Sequence, residues 1–137
     1  MTQDPQPEDD RYERGRRLLS AMHGASGAAV IESLGEIAPD LARYIVEFAY
    51  GDIHSRPGLA PRERQIATIA ALTALGAAPQ LKVHVEAGLK VGLTRDEIVE
   101  VIVQMAVYAG FPAALSGLSA AREAFAGLDG QDAPAAP

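Results

Sequence analysis

The segment between Pro61 and Gly76 constrains this chain most. Arg62 to about Leu75 carries Ile66, Ala67, Ile69, Ala70, Leu72, Ala74 and Leu75, and its few polar residues leave no continuous polar stripe. Pro61 suits the first position of a helix, where its missing N–H costs nothing, and Gly76 suits the stop. A helix that is apolar almost all round is expected to be buried on nearly every side. The rest of the chain must therefore supply helices that pack around it.

The flanking punctuation supplies them. Asp9 or Asp10 can cap a helix over Arg11–Met22 whose Arg14, Arg16 and Arg17 predict a solvated basic face. His23–Gly27 is predicted as a loop with His23 exposed, and Ala28–Ile37 as a short helix or turn. Pro39 starts a helix to about Tyr50, with Leu41, Tyr44, Ile45 and Phe48 on one stripe. Gly51, Pro57 and Gly58 predict an irregular stretch from Gly51 to Ala60, with Arg56 held extended before its proline.

Residues Gln80–Val91 are ambiguous. Leu81, Val83, Val85, Ala87, Leu89 and Val91 alternate as in a strand, yet Leu81, Val85 and Leu89 also form a helical stripe. Helix is the choice, because no partner strand is evident and a lone strand leaves backbone groups unsatisfied. Thr94 and Glu97 form a capping box for a helix over Arg95–Ala109. Gly110 and Phe111 end it, and Pro112 starts a last helix to about Ala126.

The expectation is an all-α domain of six or seven short helices over residues 10–127, with disordered tails at 1–9 and 128–137. Val101–Ala121 has no charged residue, but Gly110 and Pro112 make it a joint between two helices rather than a membrane span. Hydrophobic residues make up 48% of the chain and aromatics only 5%. Small aliphatic side chains must build the core. Two nearly apolar helices in so small a domain point to association through helix faces.

Function classes narrow by composition. A net charge of −6 without a long basic run argues against nucleic acid. The chain has no cysteine, which removes disulfides, thiol catalysis and thiolate metal sites. The N-terminus lacks the apolar core of a signal peptide, so the cytoplasm is the simplest compartment.

The chemistry-bearing residues crowd into Tyr50–Val91. His84 has no H-x-x-x-H or H-x-x-E partner, so a metal is not expected; general acid–base work suits its ordinary titration range. The alternative is a core histidine with its hydrogen bonds satisfied. His54 is the second candidate. Arg62 and Arg64 lie in a helix's first turn, where positive charge opposes the dipole; they are either solvated or set to hold an anion. Arg56 can fork onto a carboxylate.

In order, RYERG (11–15), YGDIHSRPGL (50–59), the R-x-R helix start (62–64), LKVH (81–84) and GLTRDEIVEVIVQMAVYAGFPAA (92–114) resemble the carboxymuconolactone decarboxylase family. The resemblance spans roughly Arg11 to Phe125. It implies an all-α fold, a ring-like homo-oligomer (trimer or hexamer) and cofactor-free decarboxylation of a small doubly acidic lactone in aromatic catabolism. For such a reaction His84 is the candidate catalytic residue, as proton donor or oxyanion partner, with His54 in reserve, and Tyr50, Arg56, Arg62 and Arg64 are the candidates for substrate binding. The family's alkylhydroperoxidase branch uses C-x-x-C-x-x-x-H; Ala77 and Gln80 stand at those cysteine positions, so thiol peroxidase chemistry is excluded. Gln65 stands where a glutamate usually accompanies that motif, His54 where the family has tryptophan, and Ala109 where a cysteine is frequent. These departures leave two alternatives open: another small acid as substrate, or a helical oligomer that binds without turnover.

Overall fold

A computed structural model describes residues 7–132. Among the described residues every element is helical: α1 Pro7–Ile37, α2 Pro39–Tyr44, a π-helical segment Ile45–His54, α3 Pro61–Leu75, α4 Ala78–Lys90, α5 Arg95–Ala109 and α6 Phe111–Asp132. The expected all-α class is the observed one. The chain divides into two compact units, residues 1–59 and 60–137. Of the tails expected at 1–9 and 128–137, residues 1–6 and 133–137 lie outside the described residues, while 7–9 belong to α1 and 128–132 to α6, which runs beyond its expected end near Ala126.

In the first unit, α1 is broken at Gly24, whose φ of 59° is left-handed and open to glycine at little cost. The break occupies one residue, where a five-residue loop was expected. The distal part of the unit departs further from expectation. Gly51 was expected to end the helix that Pro39 begins, yet the winding widens into a π-helix and continues to His54.

The reason is close packing. A Cβ on Gly15 would lie 1.9 Å from the Val46 carbonyl oxygen, and one on Gly51 would lie 2.4 Å from the Arg11 carbonyl oxygen. Two bare backbones thus let α1 and the π-helical segment touch. Around that contact Leu19, Val46 and Tyr50 form a small core, with Leu18, Met22, Ile31, Ile45 and Ala49 packed on it.

Polar groups lock the same contact. Arg11 forks onto Asp52, with Nε–Oδ1 at 3.2 Å and Nη2–Oδ2 at 2.6 Å. Arg14 donates from Nε to the Gly51 carbonyl at 2.7 Å. The basic face expected to be solvated is therefore partly spent on the π-helix: Arg14 is tied down, while Arg16 pairs locally with Glu13.

The second unit packs α3 against α4, α5 and α6. Ile69, Leu81, Val85, Ile98 and Ile102 are each at most 1% exposed. Burying a side chain of this size contributes about 1.5–3 kcal/mol. Gly88 and Gly117 bring helices close: a Cβ on Gly117 would lie 2.9 Å from both Ile102 Cγ2 and Thr73 Cγ2. The local signals all operate. Pro61 opens α3, Gly76 closes it at φ 70°, and the Thr94–Glu97 capping box opens α5.

The helix α3 is not buried on every side in the single chain. Its buried line is Gln65, Ile69 and Thr73, and Leu75 is 78% exposed. Neighbouring helices cover one face only, and two of the three residues on that face are polar. Thr73 meets its need by donating to the Ile69 carbonyl at 2.8 Å. Beyond α3, Val107, Tyr108 and Phe111 at the α5–α6 joint are more than three-quarters exposed. No described helix is long and apolar enough to cross a membrane.

Candidate functional site

The candidate residues fall into two groups, one in each unit. In the second unit the starting point is Gln65, one turn into α3 and only 1% exposed. A buried amide needs partners, and one is the imidazole of His84 in the middle of α4. His84 Nδ1 lies 3.1 Å from Gln65 Oε1. An amide oxygen only accepts, so Nδ1 carries the hydrogen, and in the neutral ring the lone pair is at Nε2. The half-buried His84 thus has a defined tautomer and a defined ring orientation.

The two α3 arginines separate. Arg62 donates from Nη2 to Glu97 Oε2 and lies 3.6 Å from Glu63. Glu97 is also the capping residue of α5: its Oε1 accepts from the Thr94 N–H at 3.0 Å. That backbone hydrogen bond first, and Arg62 second, hold the Glu97 carboxyl below its usual range. The charge of Arg62 therefore ties the starts of α3 and α5 together. Arg64 is half-buried, with its Nε out of contact with solvent, and its carbonyl accepts from Thr68 Oγ1 at 2.9 Å.

In the first unit the π-helical winding places Tyr50 and His54 four residues apart with their rings stacked. Their centroids are 5.5 Å apart and their planes 23° from parallel. Tyr50 is 8% exposed, and burial pushes its phenol pKa above the ordinary value. Arg56 follows in an exposed turn, its N–H bonded to the Ile53 carbonyl at 3.1 Å.

His23 also belongs to this group. Expected on an exposed loop, it is 6% exposed, and its Nε2 lies 2.9 Å from the Tyr50 hydroxyl. Its partner is 27 residues away, so no local pattern announces the pairing. Gln65 was visible only as a replaced glutamate; its burial and its bond to His84 were not.

A helical fold in which a buried amide orients a histidine, in a chain without cysteine, defines a class of small helical proteins without thiol chemistry. Comparison with known proteins makes the class specific. Residues 39–123 match the model of the carboxymuconolactone decarboxylase family. The chain is 34% identical over 122 residues to a 4-carboxymuconolactone decarboxylase of Acinetobacter baylyi, covering 88% of this chain and 91% of that one. It is 31% identical over 117 residues to an uncharacterized 15.0 kDa protein of Paracoccus denitrificans, covering 84% and 87%. It is also 31% identical over 74 residues to a nitrosuccinic acid decarboxylase of Metarhizium robertsii, covering 54% and 52%. The chain belongs to the carboxymuconolactone decarboxylase family.

Proposed function

We propose that this protein is a cofactor-free decarboxylase of a small carboxylated lactone of the 4-carboxymuconolactone type, serving aromatic catabolism as a cytoplasmic homo-oligomer. The observation that carries the reading is the His84–Gln65 pair, in a chain 34% identical to such a decarboxylase over most of both lengths. In the reaction the bond from ring carbon to carboxylate breaks and CO2 leaves. Its electron pair passes into the unsaturated lactone as a dienolate, and a proton is returned to carbon.

His84 is the proton donor. Because Nδ1–H is held by Gln65, Nε2 has a proton to give only in the imidazolium form, which is refilled from solvent after each turnover. Within the same unit Arg64 is the candidate for holding a carboxylate, while Arg62 is partly committed to Glu97; Arg56 is the first unit's own candidate for an anion. A local cationic site is required because the net charge of −6 repels an acidic substrate. Tyr50 and His54 are the first unit's candidates for substrate contact. The exposed Val107, Tyr108 and Phe111 are the candidate subunit interface.

A second reading keeps decarboxylation and changes the acid. The similarity to a nitrosuccinic acid decarboxylase, and His54 where the family carries tryptophan, favour it. A substrate panel separates the readings. Purified protein is given 4-carboxymuconolactone and, separately, nitrosuccinate, with CO2 measured. Turnover of the lactone supports the first reading, and turnover of nitrosuccinate alone supports the second. Tight binding of either without CO2 leaves a non-catalytic binding protein.

A further inference from the structure

The turn at the middle of α1 is built around His23, a residue the proposed chemistry does not use. Gly24 supplies the left-handed break immediately after it. Ser26 Oγ donates to the His23 carbonyl at 2.7 Å. Gly27 leaves room for the side chain, since a Cβ there would lie 2.7 Å from His23 Cβ. Gly24, Ser26 and Gly27 thus cooperate to hold one imidazole inside.

Its partner is equally constrained. Tyr50 is packed with Leu19 and Val46, and its hydroxyl would be costly to bury unpaired. Satisfying that hydroxyl is the minimum His23 does. The geometry goes further, because Tyr50 has a second ring on its face. His23 meets Tyr50 edge-on at 86°, and His54 lies over Tyr50 nearly flat. Fixing the phenol tip therefore fixes the tilt of the surface on which His54 rests. The π-helical winding that produces this stack is rare overall and is frequent at functional sites.

We infer that His23 is a positioning residue: by accepting the Tyr50 hydroxyl proton at Nε2, it holds the Tyr50 ring as the platform that orients His54. The phenol is the better donor and the imidazole the better acceptor of the two. Burial also keeps the phenol protonated by raising its pKa. A phenol that donates has a more electron-rich ring, which favours a cationic imidazole on its face. The proposal rests on the reading that His54 contacts substrate, but its structural part can be tested without any substrate.

Three variants, His23→Gln, His23→Leu and Tyr50→Phe, are compared with the wild type by NMR of labelled histidine. In the wild type, the His23 Nε2 nitrogen should have the shift of a hydrogen-bond acceptor, and the His54 ring protons should be moved upfield by the Tyr50 ring. His23→Gln keeps an acceptor and should retain the upfield shift; His23→Leu should lose it. Should His23→Leu fail to fold, Tyr50→Phe keeps the ring but loses the tether and should move the His54 signals instead. His54 signals at wild-type positions in both folded variants, or in Tyr50→Phe alone if it is the one that folds, overturn the proposal. With an active substrate, His23→Leu should lower kcat about tenfold with KM little changed, and His23→Gln should restore most of it. Equal kcat in the wild type and His23→Leu also overturns it. A wild type that turns over no substrate counts against the decarboxylase reading alone, since the NMR result stands apart from it.

Discussion

The Nδ1 of His84 donates to the Oε1 of Gln65 across 3.1 Å, joining the middle of α4 to a buried position on α3. A neutral amide orients the ring without adding charge, whereas a carboxylate in its place would favour the imidazolium. Gln65→Glu should therefore extend activity toward higher pH. Gln65→Leu should keep the fold but lower kcat by about 10–100-fold, the usual cost of losing the group that orients a functional histidine. A pH–rate profile and kcat for the three proteins check both; a profile unmoved in Gln65→Glu contradicts the assigned contact.

Glu97, which accepts from the Thr94 N–H and pairs with Arg62, gives the fold an acid-sensitive latch. The Glu97 carboxyl, lowered from 4.5, ionises more readily folded than unfolded. Its contribution is present above the unfolded value and is lost as pH falls through the lower folded one. Thermal melts from about pH 6 to about pH 3 should show Glu97→Gln less stable than the wild type near neutrality and the two converging in acid. Parallel curves across the whole range would remove the latch.

Glycine placement makes a sharper prediction about stability. Gly15→Ala and Gly51→Ala each force a methyl against a carbonyl oxygen. Each should cost about 1–3 kcal/mol, the range for overpacking a close contact. A Cβ added at Gly35 would meet nothing within 4 Å, so that position serves as the control. Gly35→Ala should leave the denaturation midpoint unchanged or slightly raised.

Tyr50 should mark the alkaline limit. Its phenol pKa is raised by burial, so the unfolded chain ionises this group first, from about the ordinary value of 10.0. Stability should fall as pH climbs from there toward the folded pKa. Tyr50→Phe should flatten that part of the curve. An unchanged alkaline slope in Tyr50→Phe would show that the phenol is not responsible.

These tests use features of different legibility in the sequence. Pro61, Gly76, the Thr94–Glu97 box and the Gly110–Pro112 joint act within one turn of chain, and the helix boundaries they predict are found to within a residue. Leu81 and Val85 settle the strand-or-helix ambiguity by facing one core as a helical stripe. Gly51 misled because a glycine is read locally as a breaker; here it serves a contact with Arg11, far back along the chain in α1. His23 misled for the same reason, its burial being set by Tyr50 across the α1–π-helix contact. Gln65 and Thr73 hide on an apolar helix because polar residues normally face water, and only the packing of α4 and α6 shows them buried.

The central claim is that His84 returns a proton to carbon after CO2 leaves a small carboxylated lactone. The most direct measurement is CO2 release from 4-carboxymuconolactone by the wild type and His84→Ala, at high protein concentration and without added cofactor. The account predicts catalytic CO2 release with the enol-lactone as product, falling by about 100-fold or more in the variant, as expected for a positioned proton donor. No turnover by the wild type, or undiminished turnover by His84→Ala, would contradict it.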